Sequence, residues 1–198
     1  MHVILPDKYF TVRYSKLKTS SYFTSMYSGN LIASFVLELL LTTVSALMFS
    51  HNGVGITVTP SKIGILILTI ILASLFFASF STFLVLLIIK LHAFRLQNLF
   101  NFIPLILGYL AFAIFTFTTI NSSTIYYFNP YITIEILVYY GYFGGFEFAN
   151  TTGHLITLNL SSDLLVLSAI AWIVALNLIN FILIRKIYYA SIQEGRLM

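Results

Sequence analysis

The chain has 198 residues, of which 59% are hydrophobic and only 8% charged, with a net charge of +4 and a mean hydropathy of +0.97. A soluble domain carries about 25% charged residues, so this composition belongs to the membrane class, and the positive charge is a guide to topology rather than a sign of nucleic-acid binding. No cysteine is present, which excludes disulfides, thiolate metal sites and thiol catalysis.

A helical span needs about 20 mostly apolar residues. Four stretches qualify, at about 31–49, 63–89, 102–120 and 164–184. They define a transmembrane domain over 28–184, between an N-terminal cytoplasmic or interfacial segment, 1–27, and a cytoplasmic tail, 185–198. Basic residues orient the spans. Lys8, Arg13, Lys16 and Lys18 precede the first, Lys90 and Arg95 separate the second from the third, and Arg185, Lys186 and Arg196 follow the fourth. The two remaining loops share one basic residue, Lys62. Both termini and the 90–101 loop are therefore expected in the cytoplasm of a multi-pass protein of the cell membrane, with 50–62 and 121–163 outside.

The first span carries Glu38 near its middle. A carboxylate there costs about 2.5–3.5 kcal/mol on insertion scales, and the surrounding Leu, Ile, Val and Phe return roughly 0.3–0.6 kcal/mol each. Ser34, Glu38, Thr42 and Ser45 share one helix face, which should point toward protein or water. Glu38 reads either as a carboxylate on a translocation path or as a protonated acid bonded to a neighbouring helix. In the second span Ser74, Ala78 and Ser81 form a small-residue face; in the third Gly108 and Ala111 do so. In the fourth Ser168, Ala171 and Ala175 do, with Asn177 and Asn180 beyond them. Such faces let helices approach closely, and Asn bonds across them. An Asn-lined path is the functional alternative.

Between the third and fourth spans lies FNPYITIEILVYYGYFGGFEF, residues 128–148. Asn129 suits an N-cap and Pro130 the first helical position. A helix from Tyr131 to about Phe143 spans only about 20 Å, too short to cross the hydrocarbon, and Gly144 and Gly145 stop it. The segment, about 129–148, reads as a re-entrant helix or hairpin in the outer leaflet, or as an interfacial helix lying on the surface. Glu135 and Glu147 read as wet helix-end or loop carboxylates. No phosphate-cradling glycine loop, metal-ligand spacing or catalytic arrangement of residues is legible, and no cofactor or enzymatic activity is expected. The fold class is all-α: four transmembrane helices with an extracellular re-entrant helical hairpin between the third and fourth.

The order of features resembles the membrane subunit of ABC transporters of the type-2 permease family. The resemblance begins at VRYSKLKTSSYFTSMYSGNLIASF (12–35), where a basic stretch and a turn at Gly29-Asn30 lead into a span. It continues through LFFASFSTFLVLLIIKLHAFRLQNLFNFIPLIL (75–107), FNPYITIEIL (128–137) and FILIRKIYY. It implies a permease subunit of an ATP-driven exporter, acting with a separate ATP-binding subunit and a second permease subunit. The ATPase would dock on Arg13, Lys16, Lys18, Tyr22 and Phe23, although the basic residues among these also serve topology. Ser34, Glu38, Thr42, Asn177 and Asn180 would face the translocation path. Asn129, Pro130, Glu135, Tyr139, Gly144 and Gly145 would form the outer gate. Members of the family have six spans. The four here correspond to the C-terminal part, which implies a fragment, a split subunit completed by another chain, or a degenerate copy. The alternative is a non-transporting four-helix accessory subunit of a larger membrane complex.

Overall fold

A computed structural model describes residues 19–51, 60–91, 94–117, 123–149, 155–157 and 159–194. It is an almost wholly helical bundle. Helix α1 covers Thr19–His51, α2 Ile63–Lys90, α3 Gln97–Phe117, α4 Ser123–Phe128, α5 Pro130–Phe143 and α6 Ser162–Glu194. A 3-10 turn, Phe94–Leu96, leads into α3. Two three-residue strands, β1 (Glu147–Ala149) and β2 (Leu155–Thr157), form an antiparallel ladder with Phe148 opposite Ile156.

Among the described residues, three helices are long and apolar enough to cross a membrane: Ser20–Val44 within α1, Ile63–Lys90, and Ser162–Ile187 within α6. The chain is a multi-pass membrane protein. The expected third span falls on α3, which has 21 residues and a proline, Pro104, inside it. Helix α2 matches the expected second span closely because its apolar run is unbroken. Helices α1 and α6 run past the boundaries expected at 27/28 and 184/185 without interruption. The turn expected at Gly29-Asn30 is absent, since α1 is helical through both residues. Packing explains the extension: Tyr22, Phe23 and Met26 lie against buried Leu86, Leu183 and Ile184, so the early turns of α1 belong to the bundle.

A seam of polar side chains joins α1, α2 and α6. The Tyr27 and Ser79 hydroxyls meet at 3.2 Å, and the Asn30 amide donates to Thr82 Oγ1 at 2.9 Å. The Asn177 amide donates to Ser79 Oγ and the Asn180 amide to the Ser79 carbonyl, both at 2.8 Å. Ser79, Thr82 and Asn180 are fully buried. Apolar packing between helices gains little over lipid contact, so small residues and interhelical hydrogen bonds carry more of the specificity. Of the small-residue faces expected, Ser74 and Ala78 on α2 are buried, and Ser168 on α6 donates to the Tyr127 carbonyl. Ala171 and Ala175 are exposed instead.

Helix α5 sits inside this frame, in contact with α2, α3, α4 and α6. Ile132, Ile136 and Leu137 are 0% exposed and pack with Ala111, Leu160 and Leu165. Its last carbonyls would be orphans, but Tyr142 and Gly141 accept from the backbone N–H groups of Ser61 and Lys62 at 3.0 and 2.9 Å. Close approach at this joint requires a glycine. A Cβ on Gly141 would meet Leu66 Cβ at 3.1 Å and Leu66 Cα at 3.2 Å, whereas one on Gly145 would meet nothing within 4 Å. Gly141→Val should therefore push α5 off the start of α2 and cost about 1–3 kcal/mol. Thermal unfolding in detergent should show a lowered midpoint for Gly141→Val and an unchanged one for Gly145→Ala. Equal midpoints for the two variants would contradict this packing.

Candidate functional site

The site is built on the segment that interrupts the run of long helices. Asn129 has extended backbone (φ −100°, ψ 111°), and its side chain accepts from the N–H groups of Tyr131 and Ile132 at 3.0 and 3.4 Å. Pro130 opens α5, where its missing N–H leaves nothing unpaired. The Thr133 hydroxyl donates to the carbonyls of Tyr126 and Asn129 at 2.7 and 2.9 Å, and the Asn129 N–H donates to the Ile125 carbonyl. The junction between α4 and α5 is thus closed by its own side chains. At the other end Gly144 takes a left-handed conformation (φ 77°) and its N–H donates to the Tyr140 carbonyl, an arrangement that favours glycine.

Contacts at the two ends of α5 fix its direction. Gly141, near its end, rests on Leu66 in the first turn of α2. Tyr131, near its start, makes edge contacts with Phe76, Phe77 and Phe80. These three phenylalanines lie at the middle of α2, so α5 runs antiparallel along the first half of that helix. The junction at Asn129 therefore sits at mid-bundle height.

One face of α5 borders a cavity of about 810 Å³. Tyr131, Glu135, Val138, Tyr139 and Tyr142 line it from α5, and Ser34, Leu37, Glu38 and Leu41 from α1. Helix α2 contributes Phe77, Phe80 and Ser81, and α3 contributes Pro104, Leu105 and Gly108. The wall is mainly apolar, with two carboxylates and no basic side chain among the described residues that line it. The Tyr142 hydroxyl donates to the Thr42 carbonyl at 3.3 Å, which ties α5 to α1 one turn from Glu38. Glu38 and Glu135 consequently face one space from opposite sides. Glu135 Oε2 and the Tyr131 hydroxyl are buried with no hydrogen-bond partner among the described residues.

The expected site residues separate into groups. Ser34 and Glu38 line the cavity; Thr42 is outside the described lining, and its carbonyl accepts from the Tyr142 hydroxyl. Asn177 and Asn180 belong to the polar seam and lie outside the described lining. Glu135, expected to be wet, is instead half-buried in the cavity wall, because α1, α2 and α3 close around a helix that looks exposed when read alone. Glu147 remains exposed. Tyr139 shares the cavity wall, lies against Phe143 with the two rings tilted, and donates to the Glu147 carbonyl. Asn129, Pro130 and Gly144 set the ends of α5, while Gly145 stands in open space. Tyr22 and Phe23 are partly buried against α2 and α6. Arg13, Lys16 and Lys18 lie outside the described residues.

Sequence reasoning missed Tyr131 and Tyr142, whose signal was their spacing with Glu135 on one face of the short helix. It also missed Lys62, whose ammonium donates to the Tyr140 hydroxyl and holds that phenol below its ordinary value, against the opposing effect of burial. Among the described residues, no group of three or more His, Asp or Glu is placed to hold a metal ion. No family model matches the chain, and comparisons with curated proteins and with solved structures find no match either.

Proposed function

We propose that the chain is a membrane-spanning permease subunit of an ATP-driven exporter, working with a separate ATPase subunit. The carrying observation is the placement of α5, which begins at mid-height along α2, ends at the start of α2 and walls a cavity holding two carboxylates. A helix of 14 residues is about 21 Å long, too short to span. Its start beside Phe76 and Phe80 supports a re-entrant segment that enters the bilayer and returns. Non-helical backbone at that depth is tolerated only where protein satisfies it, and the bonds made by Asn129 and Thr133 meet that condition.

In this reading α4 and α5 form the outer gate over the cavity, and the cavity is the path. Both termini and the α2–α3 connection face the cytoplasm, in keeping with the distribution of basic residues. The ATPase docks at the cytoplasmic end of α1, on Lys16 and Lys18 and the turns that follow. Tyr22 and Phe23, packed on Leu86 and Leu183, transmit its movement into α2 and α6. A second permease subunit, or a chain supplying further spans, completes the transporter.

Tagged protein purified from its native membranes should carry a P-loop ATPase, and the pair should hydrolyse ATP faster than the ATPase alone. Lys16→Glu with Lys18→Glu should abolish both the association and the stimulation. Recovery of other membrane chains with no ATPase would support an accessory subunit instead.

A further inference from the structure

The cavity has features beyond those of a generic path. At about 810 Å³ it falls within the roughly 300–1,000 Å³ of small-molecule sites. It is walled by α5 and by three further helices. Aromatic rings approach it from α5 and from α2: Tyr131, Tyr139, Tyr142, Phe77 and Phe80. Glu38 and Glu135 stand on opposite sides, with no Lys, Arg or His among the described lining residues. Two oxygen atoms, Glu135 Oε2 and the Tyr131 hydroxyl, are withdrawn from water and from every described protein partner.

An anion in this space would meet two acids and no counter-charge. A neutral hydrocarbon would leave both carboxyls without compensation. A cation carried on an apolar body answers each feature: its charge pairs with the carboxylates, its surface covers the apolar wall, and aromatic faces attract it through their quadrupoles. We propose that the cavity binds lipophilic cations, organic molecules with one positive charge on an aromatic or aliphatic frame. This names the substrate class of the proposed permease, and it rests on that reading only in calling the ligand a transported substrate.

The probes are tetraphenylphosphonium and tetraphenylborate, which share size and shape and carry opposite charge. Full-length protein in zwitterionic lipid discs at pH 8 is titrated with each, and binding to empty discs is subtracted. Tetraphenylphosphonium should bind saturably and at least tenfold more tightly than tetraphenylborate. Glu135→Gln and Glu38→Gln should each weaken it tenfold or more while leaving the borate no weaker. Leu105→Trp, which fills the cavity without changing its charge, should weaken the cation too, and it keeps the test intact should Glu135→Gln not fold. Uptake no greater than that of empty discs overturns the proposal. So does equal affinity for the two ions, or native affinity in folded carboxamide variants. A chain that dimerises in the disc and excludes the cation would mean that a second copy fills the space, and this also overturns it. Binding requires no ATPase. Co-purification of an ATPase without cation binding would refute this inference alone, and cation binding without any ATPase partner would refute the permease reading alone.

Discussion

The bundle depends on one helix break that is sealed from within. Where α4 gives way to α5, the chain stops being helical at a height where α2 is half-way through its length. Any unpaired amide there would face apolar surroundings at a cost of several kcal/mol. Asn129 supplies an acceptor for two N–H groups of α5, Pro130 removes a third donor, and Thr133 bonds back across the junction. Three side-chain choices within residues 129–133 thus let a 14-residue helix begin at mid-height of the bundle. The α5 end is sealed in a complementary way, with carbonyls of Gly141 and Tyr142 taken up by the chain entering α2.

The cavity follows from that placement. Helix α5 turns its Tyr131–Glu135–Tyr142 face toward α1, α2 and α3, and the cavity lies between them. The polar seam through Tyr27, Asn30, Ser79, Thr82, Asn177 and Asn180 holds α1, α2 and α6 together away from the described lining. Polar groups therefore serve two purposes here. Those of the seam are almost all satisfied by one another and specify helix packing. Those of the cavity include Glu135 Oε2 and the Tyr131 hydroxyl, which are buried in its wall with no partner among the described residues.

Much of this was legible in the residues, and the limits are physical. Helix α2 could be read to within a residue because its apolar run is continuous and Lys90 ends it. The start and stop of α5 were legible because Asn-Pro and Gly-Gly act through local backbone geometry. The N-terminal reach of α1 was not, since TSSYFTSMYSGN has weak intrinsic helix preference and is held by distant partners, Leu86, Leu183 and Thr82. Glu135 was misread for the same reason: its neighbours in sequence suggest an exposed helix, and the elements that bury it lie up to a hundred residues away. The two short strands, three residues each, carried too little pattern to register. Asn177 and Asn180 read from the sequence both as interhelical donors and as residues facing a path; in the fold the amides of both bond to Ser79.

The depth of the α4–α5 junction is the quantity on which this account turns. Phe128, the last residue of α4, is 71% exposed on the bundle surface and tolerates a nitroxide label. Power-saturation electron paramagnetic resonance in lipid bilayers should find that label accessible to oxygen and shielded from a water-soluble nickel complex, at a depth near that of a label on Ile71 or deeper. A label at Gly145 should show the reverse. Strong nickel accessibility at residue 128, matching that at 145, would put α5 on the membrane surface and contradict the account.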